Sequence, residues 1–151
     1  MKTDYKVLIV DDHPFIIQAY KNAFKKYSLQ GYTFDFMQAG NCKDGYDLIM
    51  DSSNSFDLAL FDLSMPEYPE KNIKSGEDLA ILIKTQMPEC RSIVLTMHTE
   101  PDRINGIIKN INPGGLIIKN DITFDELIVA IDRVLNGGNY YTQTIIDIIG
   151  A

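Results

Sequence analysis

The chain has no tryptophan, two histidines and only two cysteines, Cys42 and Cys90. The cysteines are too few and too far apart for a CxxC redox pair, a zinc knuckle or a secreted disulfide scaffold, so a reducing cytoplasm is the expected compartment. No apolar run approaches the ~20 residues of a membrane span. The N-terminal run Val7 to Val10 is also too short for a signal-peptide core and is followed at once by Asp11 and Asp12. Nothing points to export or to membrane insertion. Basic residues are in deficit as well: 14 Lys plus Arg stand against 21 Asp plus Glu, a formal charge of −7. Phosphate backbones and anionic lipid surfaces should repel such a chain, and nucleic-acid binding by this chain itself is not expected.

What remains is an ordinary globular composition, with 45% apolar and 23% charged residues in a length of 151. That length fits one domain with its own core. Four short apolar runs stand out: Val7 to Val10, Leu58 to Phe61, Ile93 to Leu95 extending to Met97, and Leu116 to Ile118, with a weaker fifth at Thr33 to Gln38. Runs of β-formers without polar alternation suit strands buried on both faces, as in a parallel sheet covered by helices.

Helical patterns separate the runs. One starts at Pro14, where a missing N–H costs nothing, and runs toward Tyr27; Asn41 to Met50 and Gly76 to Met87 supply two more. Ile104, Ile107, Ile108 and Ile111 form an apolar stripe, read as core, behind a capping box expected at Thr99 and Asp102. Thr123 and Glu126 cap the last helix, with Ile122 and Leu127 as a hydrophobic staple and Gly137-Gly138 at its end. Strand and helix thus alternate five times, which predicts a five-stranded parallel sheet, doubly wound as a (βα)5 three-layer sandwich. Pro66 to Ser75 is too polar and Pro-rich for a regular element and reads as a long loop, a surface insertion with Glu67, Tyr68 and Glu70 near the third strand's end.

Ligands of open parallel sheets bind beyond the carboxyl ends of the strands. Here those positions hold Asp11, Asp12, Asp62, Thr96 and Lys119. Singly, each has an ordinary explanation as a helix cap or a solvated charge. Together they make chemical sense. Three carboxylates in close quarters repel one another unless a cation joins them, and hard oxygen ligands with open water positions suit Mg²⁺. One carboxylate could then attack phosphorus, while Thr96 and Lys119 donate to the phosphoryl oxygens.

The segments KVLIVDDHP, FDLALFDLSMP, SIVLTMHTE and GGLIIKN, spread over residues 6 to 120, resemble the receiver domain of bacterial two-component response regulators. The resemblance implies a flavodoxin-like fold and a regulatory phosphoacceptor domain rather than an enzyme. It implies that Asp62 is the phosphoacceptor, that Asp11, Asp12, Asp62 and the backbone carbonyl of Ser64 hold Mg²⁺, that Lys119 pairs with the phosphate, and that Thr96 is the switch hydroxyl. The resemblance also places Ser64 and His98 at positions that in this family tune acyl-phosphate hydrolysis. The partner implied is a sensor histidine kinase or a phosphotransfer protein, with a homodimer possible.

The DDHP string and the tail DELIVAIDRVLNGGNYYTQTIID resemble the subfamily with a LuxR-type helix-turn-helix output domain. Residues 5–136 are then the receiver and residues 137–151 a linker-like tail toward an output domain outside this chain, a stand-alone receiver being the alternative. Asn120 follows the lysine where most receivers carry Pro, so a trans peptide or a rearranged loop is expected there. Leu116 stands where an aromatic usually accompanies the threonine. A Mg²⁺ phosphatase of the haloacid-dehalogenase type also uses a strand-end Asp but wants a second Asp two positions on, where Ser64 stands. A flavodoxin-like FMN carrier would need a phosphate loop after the first strand, and Asp11-Asp12 would repel the phosphate.

Overall fold

The computed structural model describes residues 3–120 and 122–150. Its elements run β1 (Asp4–Val10), α1 (Pro14–Ser28), β2 (Thr33–Ala39), α2 (Cys42–Met50), β3 (Leu58–Asp62), a 3-10 turn (Pro69–Lys71), α3 (Gly76–Gln86), β4 (Arg91–Thr96), α4 (Pro101–Ile111), β5 (Gly115–Ile118), α5 (Phe124–Leu135), β6 (Tyr140–Tyr141) and α6 (Gln143–Ile149). The strands form one sheet in the order β2-β1-β3-β4-β5-β6, and every neighbouring pair is parallel. The fold is the flavodoxin-like α/β sandwich, with six parallel strands where five were expected.

Alternate residues of the strands divide the core into two layers. Leu8, Val10, Ala59, Phe61 and Val94 pack with Leu79, Ile83, Ile104 and Ile107 under α2, α3 and α4. Val7, Ile9, Leu58, Leu60, Ile93 and Leu95 pack with Phe24, Leu127, Ile131 and Val134 under α1 and α5. Residues 7–10, 58–61 and 93–95 are all fully buried, which explains why these strands carry no polar alternation.

Helix starts follow local chemistry. Pro14 opens α1, and the Asn41, Ser75 and Thr123 side chains accept from the amides of Asp44, Glu77 and Glu126. Ile122 and Leu127 share one hydrophobic cluster, as a staple requires. The expected capping box at Thr99 and Asp102 does not form: α4 starts one residue later, with Glu100 at the cap position, Pro101 in the first turn and no side-chain cap bond. Pro101 lacks an N–H and already fixes its own φ, so it sets the start without a Thr99 hydroxyl. Gly137, with φ +89°, lets the chain leave α5 through a left-handed turn.

Residues 140–149, within the segment expected to be linker-like, form β6 and α6. The Tyr140 amide donates to Gly114 O and the Thr142 amide to Leu116 O, and the Thr142 hydroxyl accepts from the Ile118 amide at 3.0 Å. Ile145 is fully buried in the layer that holds the α4 stripe, and Arg133 lies over the Tyr140 ring. Ala151, the last residue of that segment, lies outside the described residues.

Candidate functional site

The sheet order changes direction between β1 and β3, because β1 leads outward to β2 while the chain returns to place β3 on its other side. A crevice opens beyond the strand ends at such a point. Asp11 follows β1, Asp62 ends β3 and Lys119 follows β5. Asp11 and Asp62 are almost wholly buried. Lys119 Nζ lies 2.8 Å from Asp62 Oδ2 and 3.5 Å from Asp11 Oδ2. Asp12 is exposed at the rim.

Backbone geometry fixes each acid. Asp62 Oδ1 accepts from the Ser64 amide at 3.1 Å, and Asp11 Oδ1 accepts from the His13 amide at 2.8 Å. The start of α3 lies directly against β3: the Gly76 amide donates to Leu63 O, and a Cβ at Gly76 would overlap the carbonyl oxygen of Asp62. Gly76 is therefore the residue that lets α3 approach the acid, a role hidden in the sequence behind its place at a helix start.

Thr96, at the end of β4, is bonded to the neighbouring strand-end segments. The Thr96 hydroxyl is buried and accepts from the His98 amide at 3.0 Å, while its carbonyl accepts from the Lys119 amide at 2.8 Å. Ser64 lines a cavity of about 380 Å³ together with His13, Ile16, Asp62, Met97, Lys119 and Asn120. There is no cis peptide bond among the described residues. The loop after β3 turns toward α2, where the Tyr68 ring meets Tyr46 edge-on at 5.7 Å and Lys71 lies over the Tyr46 ring.

One contributor was not singled out from the sequence. His13 Nδ1 lies 2.9 Å from Asp11 Oδ1, 3.1 Å from Asp12 Oδ1 and 3.4 Å from Asp62 Oδ2. Below the acids, burial pushes the Tyr20 phenol well above its ordinary pKa, and the charges of Asp11 and Asp62 add to the shift. Three carboxylates against one lysine leave the pocket with an excess of negative charge. Asp11 Oδ2 is buried without a hydrogen-bond partner among the described residues. Buried oxygens in that state call for a cation, and the donor set of carboxylates suits a hard divalent ion.

A doubly wound parallel sheet with two buried strand-end acids facing a lysine places the molecule among α/β domains built around an acidic crevice at the strand ends. Residues 7–132 match the response regulator receiver domain family, and the chain belongs to it. It is thus a receiver domain of two-component signalling. The transcriptional regulatory protein MctR of Rhizobium johnstonii is 27% identical over 146 residues, which cover 94% of this chain and 60% of that protein. The chain accordingly spans 60% of the length of this curated relative.

Among solved structures, the isolated REC domain of RcsB from Salmonella enterica serovar Typhimurium, in the presence of phosphomimetic BeF3-, matches with a TM-score of 0.77 at 19% identity, covering 96% of this chain and 98% of that one. A LuxR-family two-component response regulator from Aurantimonas matches with a TM-score of 0.77 at 21% identity, covering 97% and 96%. At these identities the likeness is one of fold. No helix among the described residues is long and apolar enough to cross a membrane.

Proposed function

We propose that the protein is a phosphorylatable switch that accepts a phosphoryl group from a histidine kinase or phosphotransfer protein on Asp62. The observation that carries this reading is the buried Asp62 carboxylate, 2.8 Å from Lys119 Nζ and bordered by Asp11. Held by Asp11, Asp12, Asp62 and the Ser64 carbonyl, Mg²⁺ would offset the repulsion between the carboxylate and the incoming phosphoryl group.

An Asp62 oxygen attacks phosphorus; the O–P bond forms as the donor's P–N bond breaks, and the donor imidazole leaves and takes up a proton. The Ser64 amide orients the carboxylate for this attack. Lys119 exchanges its bond to Asp62 for one to a phosphoryl oxygen, and the Thr96 hydroxyl leaves the His98 amide to do the same. The strand ends then carry a new charge, which biases a two-position element.

The output is transcription in our reading, through a LuxR-type DNA-binding domain outside this chain, with residues 5–136 as the receiver and the segment from 137 leading toward that domain. Dimerisation or release of the output domain would transmit the change, in the cytoplasm. A haloacid-dehalogenase-type hydrolase is the poorer reading, because Ser64 stands where its acid would and its amide is committed to Asp62.

The test is incubation of the chain with Mg²⁺ and a small phosphodonor such as acetyl phosphate, followed by intact mass spectrometry. One acid-labile phosphoryl adduct is expected, and it should be absent in Asp62→Asn and after chelation of the metal. An unlabelled wild-type chain, or labelling that survives in Asp62→Asn, would refute the assignment. Donor turnover without a bound adduct would favour the hydrolase.

A further inference from the structure

We propose that His13 is a fourth side-chain ligand of the acidic crevice, so that the site takes an imidazole-binding transition-metal ion, such as Co²⁺ or Ni²⁺, in preference to Mg²⁺. The inference rests on the reading that this crevice holds a divalent ion, and adds the ligand that sets which ion.

Asp11, Asp12, His13 and Asp62 each bring one ligand atom into a group whose members all lie within 4.8 Å of one another. Adjacent ligands of a six-coordinate ion with ~2.1 Å bonds stand ~3.0 Å apart. The His13 Nδ1 separations of 2.9, 3.1 and 3.4 Å to the three carboxylates fall around that value. Hydrogen bonding alone satisfies the cluster poorly. Nδ1 is 2.9 Å from the Lys119 ammonium, which only donates, and 2.9 Å from an Asp11 carboxylate oxygen, which only accepts. Whichever tautomer the ring adopts, one of these contacts lacks its proton or its lone pair.

The second, independent sign is Asp11 Oδ2, which is buried with no hydrogen-bond partner among the described residues and lies 3.5 Å from the same lysine nitrogen. A cation in the crevice would take the Nδ1 lone pair and offset the charge on the orphaned oxygen.

The identity of the donor then decides the metal. Carboxylate and water ligands suit Mg²⁺, whereas imidazole adds affinity for the first-row transition metals and little for Mg²⁺. The local chain supports this use of His13. Its amide is fixed on Asp11 Oδ1, and Pro14 sets the turn into α1, so the ring is carried back over the acids. Half of the side chain remains exposed, which leaves room for metal entry and for water ligands.

The experiment uses the whole chain and its His13→Ala and His13→Gln variants, each checked for an unchanged circular dichroism spectrum. Pulsed electron paramagnetic resonance of the Mn²⁺-loaded protein should show modulation from a directly bound nitrogen, lost in both variants. Calorimetric titrations with Co²⁺ and Mg²⁺ should show the ratio of the two affinities falling about tenfold or more in the variants, most of the loss being in Co²⁺. A wild-type spectrum without bound nitrogen overturns the proposal, and so does an affinity ratio that His13→Ala leaves unchanged. Neither readout involves phosphorylation: Mg²⁺-supported labelling of Asp62 with no bound nitrogen would leave the switch standing and remove His13. Bound nitrogen with no labelling would do the reverse.

Discussion

Asp11 and Asp62 are ionisable groups with almost no exposure, and removing such a charge from water costs several kcal/mol unless it is paired and hydrogen-bonded. Asp62 is compensated on both oxygens, by the Ser64 amide and by Lys119, whereas Asp11 Oδ2 has only the longer ion pair to Lys119 and no hydrogen bond among the described residues. Polar satisfaction is thus left incomplete at the crevice, where a cation and a phosphoryl group would complete it. A different buried group contributes to the loss of stability in alkali. Burial pushes the Cys42 thiol from 9.0 up to about 11, with Asp78 and Glu67 adding to the shift. Below pH 9 both the folded and unfolded thiols are protonated and stability is flat. Between 9 and 11 only the unfolded chain releases the proton, so stability declines; above 11 the loss is complete. Urea unfolding across that window should show wild type losing about 2 kcal/mol more than Cys42→Ala. Equal slopes for the two proteins would show that Cys42 ionises in the folded state near its ordinary pKa.

One side chain reinforces the backbone pairing between β5 and β6. Tyr140–Tyr141 is a two-residue strand, and isolated pairing of that length is weak. Thr142 extends it: its hydroxyl accepts from the Ile118 amide at 3.0 Å and stands 3.4 Å from Leu116 O, in place of capping α6. Ile118 immediately precedes Lys119, so this bond joins the tail to the strand that delivers the lysine. Thr142→Val keeps the shape, strands a buried amide and should cost about 1–3 kcal/mol. Amide exchange at Ile118 should accelerate with it; unchanged exchange there would mean the hydroxyl is not the acceptor.

The same region marks where reading the sequence stopped. β1, β3 and β4 were legible because burial on both faces leaves an unbroken apolar run, and α5 because Thr123, Glu126 and Gly137 punctuate it. β6 was not, since two tyrosines after Gly137-Gly138 carry no period and their pairing depends on the distant Gly114 and Leu116. The strand-end positions of Asp11, Asp62 and Lys119 followed from the runs that precede them. The reach of His13 to three carboxylates depends on the path of the β1-to-α1 turn, which spacing alone does not specify.

At the scale of the molecule, the sheet is covered on one side by α1 and α5 and on the other by α2, α3, α4 and α6. The last helix is the element whose membership in this core decides where the folded unit ends. Ile145, Ile146, Ile148 and Ile149 recur at helical spacing. Ile145 is fully buried among the residues of α4 and β5, while Ile146 is 45% exposed one position on. If α6 is an integral layer, truncating the two side chains must have unequal effects. Ile145→Ala leaves a cavity where α6 packs against α4 and β5 and should lower stability by about 2–5 kcal/mol. Ile146→Ala removes a solvated side chain and should stay within about 0.5 kcal/mol. Thermal unfolding of both variants by circular dichroism and by near-ultraviolet tyrosine signals should give one coincident transition, lowered only for Ile145→Ala. Equal, negligible effects would make 140–149 a detachable segment. Unequal effects would instead extend the cooperative unit past residue 136, so that any movement of the tail toward an output domain must first break packing against α4 and β5, the strand that presents Lys119 to Asp62.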